Sequence, residues 1–156
     1  AGEYTSKNYK TDGGDKWVVE GEQDITDGKM TGEIQELSIV MSATADVANR
    51  IAFIADEGYE IVSVKEVHAT AETSNAPNLQ IERLQDTESL GNGDDLLTNN
   101  SDSGFDLTAS ADTIQGGSLV SDGTQKLNED DRLGVVINGS TAEIAGVCVQ
   151  IELKRL

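Results

Sequence analysis

Helix is scarcely written into this chain. From residue 34 onward, runs rich in Val, Ile, Leu and Thr recur between clusters of Gly, Asn, Asp and Ser. No stretch carries an amphipathic stripe long enough to stand alone as a helix. Short strands at turn-separated intervals call for an all-β sandwich rather than βαβ units. Strands are expected at residues 37–41, 51–55, 61–71, 78–84, 105–107, 112–115, 118–120, 133–137 and 142–153, with a short one inside 94–98. Helical turns are expected only at 43–50 and 110–112. About eight strands in roughly 120 residues is the size of a jelly-roll-like antiparallel β-sandwich.

The side-chain pattern within these runs sets finer expectations. Leu79 and Ile81 point inward and Gln80 and Glu82 outward, with the only proline, Pro77, at strand entry where a missing N–H is tolerated. In residues 61–71 the apolar side changes partway, which predicts a bulge near Lys65 and Glu66. The last run sets Ala145, Val147, Val149, Ile151 and Leu153 on one side and Ala142, Ile144 and Cys148 on the other. A strand apolar on both sides is expected to be central and covered on both faces. Asn138-Gly139 before it is the strongest hairpin signal in the chain.

Residues 1–33 read differently. Gly13, Gly14, Gly21, Gly28 and Gly32 punctuate two short strand candidates, 17–20 and 23–26, and Asp12-Gly13 and Asp27-Gly28 are turn signals. A segment like this buries little of itself, so it is read as an N-terminal arm that orders against another surface. The sandwich domain is assigned to residues 34–156.

Charge and chemistry exclude several classes. The 156 residues hold 29 Asp and Glu against 11 Lys and Arg, a net charge of −18. Binding nucleic acid releases counterions to Lys and Arg, which this surface lacks in surplus. No apolar run reaches the roughly 18 residues of a spanning helix, and the first residues carry neither region of a signal peptide, so neither a membrane nor a leader is expected. Cys148, the only cysteine, excludes an intramolecular disulfide and a Cys-based zinc site. It is expected to act as a small apolar residue. His68, the only histidine, is expected on a strand face without a catalytic role. No nucleophile, metallopeptidase or phosphate-loop motif occurs, so no enzyme is expected. The acidic loops at Asp94-Asp95, at 128–131 and at Asp24 with Asp27 suit hard cations, but none has the spacing of an EF-hand. No cofactor is expected, and a structural Ca²⁺ is the minor reading of these loops.

Two stretches together resemble the head proteins of tailed viruses, of bacteria or of archaea. Residues 9–22, with Gly13-Gly14, the apolar Trp17-Val18-Val19 and Gly21, followed by the turn Ile25-Thr26-Asp27-Gly28, are similar to the start of head fibre proteins. The apolar run at 51–55, the long run at 61–71, Asp106-Leu107-Thr108, and Asp131-Arg132-Leu133 leading to the closing Lys154-Arg155 are similar to β-sandwich decoration proteins. The resemblance implies a non-enzymatic virion protein that decorates and reinforces the outside of an icosahedral capsid. Made in the host cytoplasm, it would take the major capsid protein as partner, commonly as a homotrimer. Tyr9, Trp17, Val18, Val19 and Ile25 are the expected capsid- or subunit-binding residues. Two other readings stand beside this one. One is a carbohydrate-binding virion or surface module, for which an exposed Tyr59 or Trp17 lining a groove would be the sign. The other is a surface β-domain of a halophilic organism, whose acidic surface is screened by salt.

The net charge carries a prediction under any of these readings. Like charges repel within the compact state, and salt screens them, so the melting temperature should rise with ionic strength. A thermal melt that is flat or falls with added salt would contradict it.

Overall fold

The computed structural model describes residues 32–156 together with the backbone of two short strands near the start of the chain. These are β1 (Asn8–Lys10) and β2 (Trp17–Val19), paired antiparallel with Tyr9 opposite Val18. The chain divides into two compact units, Ala1–Met30 and Thr31–Leu156.

The second unit is all-β and built from two antiparallel sheets. One holds β3 (Ile34–Met41), β12 (Ala145–Arg155) and β5 (Tyr59–Thr70) in that order, with β9 (Gln115–Gly116) and β10 (Lys126–Leu127) sharing the far edge of β5. The other holds β4 (Arg50–Ile54), β11 (Arg132–Asn138) and β6 (Asn78–Leu84), with β7 (Asp94–Asp95) and β8 (Phe105–Asp106) sharing the far edge of β6. The chain changes sheet at six of the nine connections: β3, β5, β9, β10 and β12 lie in one sheet and β4, β6, β7, β8 and β11 in the other. Side chains from both inner faces form one core. Ile39, Met41, Val64, Val147, Val149 and Ile151 from the first sheet meet Leu79, Ile81, Leu133 and Val135 from the second. Fully burying each such side chain is worth roughly 1.5–3 kcal/mol. Phe53 meets Tyr59 edge to face at 5.5 Å.

Several expectations are corrected. Asn138-Gly139 is a turn but not a hairpin: β11 pairs with β4 and β6, β12 with β3 and β5, so the chain crosses between sheets there. A local turn signal does not choose the partner; the inter-sheet core does. Gly139 takes φ +101, and a Cβ there would meet Pro77 Cα at 3.1 Å. The bulge in β5 lies at Val62 rather than at Lys65 and Glu66. Ile61 opposes Leu153 and Ser63 opposes Glu152, leaving Val62 as the extra residue. The buried positions therefore run Tyr59, Ile61, then Val64, Glu66 and His68. The apolar residues alone place the shift near Lys65 and Glu66, because the pattern does not show that Glu66 and His68 continue the buried side.

β12 is central in its sheet as expected, yet only one of its faces is covered, because Cys148 is partly exposed on the other. The doubly covered strands are β6 and β11. Leu84 and Val136 are buried on the outer side of their sheet, and residues 85–93 fold back over Leu84. Leu90 approaches Gly134 there, Gly91 N–H donates to Glu82 at 2.9 Å, and the Arg132 guanidinium reaches the carbonyls of Gln85, Asp86 and Glu88. Gln80 and Glu82, expected outward and solvated, are thus outward and buried.

Among the described residues, helix is confined to a 3-10 turn at Thr44–Asp46 and to α1 (Asn99–Asp102), with a plain turn at 110–112. α1 has the left-handed hand: Asn100, Ser101 and Asp102 all take positive φ, which costs side-chain-bearing residues roughly 1–2 kcal/mol each. The buried Gln80 amide offsets that cost. It donates to the carbonyls of Leu97 and Asp102 and accepts the N–H groups of Leu97 and Ile81, each at 2.9 Å. Gly104 closes the turn against β6 at φ +97, where a Cβ would stand 2.1 Å from Leu79 O. Gly104→Ala should therefore cost on the order of 3 kcal/mol in denaturant melts, whereas Gly116→Ala, with open space around it, should stay within about 0.5 kcal/mol. Equal effects at the two glycines would refute this account of the turn.

Candidate functional site

The expected contact residues lie at the start of the chain. Tyr9 falls in β1 and Trp17, Val18 and Val19 in β2, and the register places Trp17 opposite Lys10 and Val19 opposite Asn8. Their side chains, and Ile25, lie outside the described residues. Within the described unit, four features carry chemistry: a clamped loop end, a buried polar group under the 107–116 segment, an acidic cluster, and an apolar row on an outer face.

The clamped end joins all four loops that leave the same end of the sandwich. Gly146 N–H donates to Ser42 O, Ile137 N–H to Asn49 Oδ1, Glu72 N–H to Leu107 O and Leu107 N–H to Pro77 O. Two carboxylates anchor it. Glu72, buried just beyond β5, accepts the backbone N–H groups of Ala142, Glu143 and Ile144 and the Asn75 amide. Glu143 answers from the other loop by accepting the Thr73 N–H and hydroxyl and the Ser74 hydroxyl. Three backbone donors stabilise the ionised form of Glu72, those of Ala142 and Glu143 most, and hold its pKa at about 2. The Thr73 hydroxyl and N–H likewise lower that of Glu143.

Under the 107–116 segment, the shifted phase of β5 turns Glu66 and His68 inward, where both are buried. His68 Nδ1 lies 2.7 Å from Glu66 Oε1, and Nε2 lies 2.8 Å from the Ala109 carbonyl. The other oxygen of Glu66 accepts the Gln115 amide at 2.7 Å, and that same amide nitrogen donates to Asp106 O at 2.8 Å. Burial raises the pKa of Glu66, against the opposing pull of His68 and Gln115. His68 lies on a face of β5, as expected, and the bulge at Val62 makes that face the buried one; its place outside catalysis is not tested by this geometry.

The acidic loops are accounted for in part. Asp94 pairs with Arg83 at 2.7 Å, and buried Asp131 accepts the Asn128 N–H at 2.8 Å, fixing the turn into β11. Burial, then the neighbouring Glu82, Asp102 and Asp94 charges, raise the pKa of Asp95. Among the described residues no group of three or more His, Cys, Asp or Glu is placed to hold a metal ion. Asp24 and Asp27 lie outside them.

On the outer face of the first sheet, Val40, Cys148 and Val67 stand in register across β3, β12 and β5. Ile114, exposed, joins Val67 and Cys148 around a shallow hollow of about 100 Å³ that Lys65 and Gln150 also line. Tyr59 does not line a groove. It is 2% exposed, with its hydroxyl donating to Asp56 at 2.7 Å.

Nothing in the sequence marked Glu66, Glu72, Gln80 or Gln115 as special. Each matters through a partner at least 17 residues away, among them Leu97 for Gln80, Gln115 for Glu66 and Ala142 for Glu72. No family model matches the chain, and no curated protein is significantly similar to it.

The clamp gives a pH prediction. A carboxylate with a lowered pKa stabilises the fold above its ordinary value of about 4.5, and that stabilisation is lost as pH falls through about 2. Glu72→Gln places an amide donor among backbone donors. It should lower the melting temperature at neutral pH, with the gap to wild type closing as pH falls from 4.5 toward 2. A pH-independent gap would refute the clamp.

Proposed function

We propose that this chain is a non-enzymatic structural protein of a virion, a jelly-roll sandwich that decorates and reinforces the outside of an icosahedral capsid. The observation that carries the reading is the order of the strands. The order β3-β12-β5 with β9 and β10, facing β4-β11-β6 with β7 and β8, in a chain that crosses between sheets, supports reading the two antiparallel sheets as a jelly roll. That fold recurs in viral capsid proteins, though also in lectin domains and cupins. Fold alone does not assign function, so the remaining support is in the surfaces.

Residues 34–156 hold 21 acidic and 7 basic residues, a net of −14, and residues 1–33 hold 8 and 4, a net of −4, so the two parts carry nearly the same negative charge per residue. The sandwich thus repels its own copies in solution, and the arm brings four of the seven lysines to meet a shell. In this reading the arm contacts the major capsid protein or a sister subunit through Tyr9, Trp17, Val18, Val19 and Ile25, and the protein works as a homotrimer on the outer capsid surface. Both ring nitrogens of His68 are engaged, by Glu66 and by the Ala109 carbonyl. Burial of Tyr59 removes one of the two aromatic residues on which a carbohydrate-binding reading rested. A halophilic surface domain shares the acidic surface and differs in having no particle to bind.

Deleting residues 1–33 should abolish co-sedimentation with particles while leaving the sandwich folded. Trp17→Ala should weaken binding by about 30-fold, the effect of a dominant aromatic anchor. Undiminished binding by the truncated protein would sink the arm as the contact. A full-length protein that never co-sediments with particles would sink the virion reading itself.

A further inference from the structure

The His68–Glu66 pair differs from the other buried polar groups in holding a segment through a proton rather than through backbone donors. Because the Ala109 carbonyl can only accept, Nε2 of His68 carries a hydrogen. A second proton must lie between Nδ1 and Glu66 Oε1 at 2.7 Å, since two lone pairs would otherwise face each other. Facing the pair are Val147 and Val149 of β12, opposite His68 and Glu66 respectively, and Gln115 of β9. β8 presents only the Asp106 carbonyl, its carboxylate being turned onto Thr108, and Asp112 presents its N–H to His68 O. Among the described residues, the side chains acting on Glu66 are His68 and the uncharged Gln115.

We propose that His68 and Glu66 form a proton latch, in which the shared proton holds residues 107–116 closed on β5 and its loss as pH rises releases them. With that proton gone, the imidazole keeps one hydrogen for two acceptors. The charge-assisted bond to the Glu66 carboxylate is the stronger, so the hydrogen stays on Nδ1 and Nε2 turns its lone pair to Ala109 O. The attraction that held the loop becomes a repulsion between acceptors, inside a low-dielectric site with an uncompensated negative charge. The sign follows from proton counts. An unfolded chain keeps both protons between the ordinary values of Glu and His, about 4.3 and 6.5, and loses one above the latter. The closed geometry needs both, one on Nε2 for the Ala109 carbonyl and one between Nδ1 and Glu66, so closure is favoured at low pH and disfavoured as pH rises. The raised pKa of Glu66 acts in the same direction.

His68 is the only histidine, so its ring signals are unambiguous in an NMR titration of the full chain. Amide exchange of residues 107–116, corrected for the intrinsic pH dependence, should lose about tenfold in protection per pH unit above the imidazole midpoint, while β6 and β11 keep theirs. Glu66→Gln should move the imidazole midpoint down and the loss of protection with it. Protection that stays constant through the wild-type imidazole titration would overturn the latch. So would a Glu66→Gln protein whose loop opens at the wild-type pH. If that variant does not fold, the wild-type titration decides alone.

Discussion

Neither sheet of this molecule has a stable inner face without the other. Ile39, Met41, Val149 and Ile151 on one side and Leu79, Ile81, Leu133 and Val135 on the other are buried only because the two faces meet. Six of the nine connections pass between the sheets, so most pairing is with distant segments, although β6 pairs with its neighbour β7. A connection that crosses runs over the end of the sandwich, and its backbone must find partners there. The carboxylates of Glu72, Glu143 and Asp131, and the amide of Gln80, are those partners. The buried polar groups are thus a consequence of the apolar core: the more completely the sheets cover each other, the more the crossings depend on fixed acceptors.

This explains which parts of the structure were legible in the sequence. The all-β class, the strands at 78–84 and 133–137, and the inward Leu79 and Ile81 follow from local alternation, which an antiparallel sandwich respects. What failed was whatever a distant partner decides. Asn138-Gly139 reads as a hairpin because nothing nearby says that its two strands belong to different sheets. Gln80 and Glu82 read as solvated because the segment that covers them comes later in the chain. The bulge at Val62 was placed late because the burial of Glu66 depends on Gln115, 49 residues away. Of the site residues named from the arm, Tyr9, Trp17, Val18 and Val19 have backbone register without described side chains, and Ile25 lies outside the described residues.

The distribution of charge acquires a finer grain. Most acidic side chains face water, but Glu66, Glu72, Glu82 and Asp131 are buried, each with a donor. An acidic composition is therefore two populations. One keeps copies of the molecule apart, and the other replaces the backbone acceptors that a crossing chain lacks. Only the second is sensitive to a single substitution, because a solvated carboxylate has many equivalents and a buried one has none.

The position of β12 has a consequence for how the fold is made. It lies between β3 and β5 and follows both in the chain. As the polypeptide emerges from the ribosome, those two strands have no mutual pairing to adopt and wait with open edges until β12 arrives between them. During synthesis the nascent chain is a half-built sheet with a slot in its middle, open to any extended segment that reaches it first. The solvated acidic residues then have an earlier task than keeping finished molecules apart: they protect that slot from other chains until its own strand closes it.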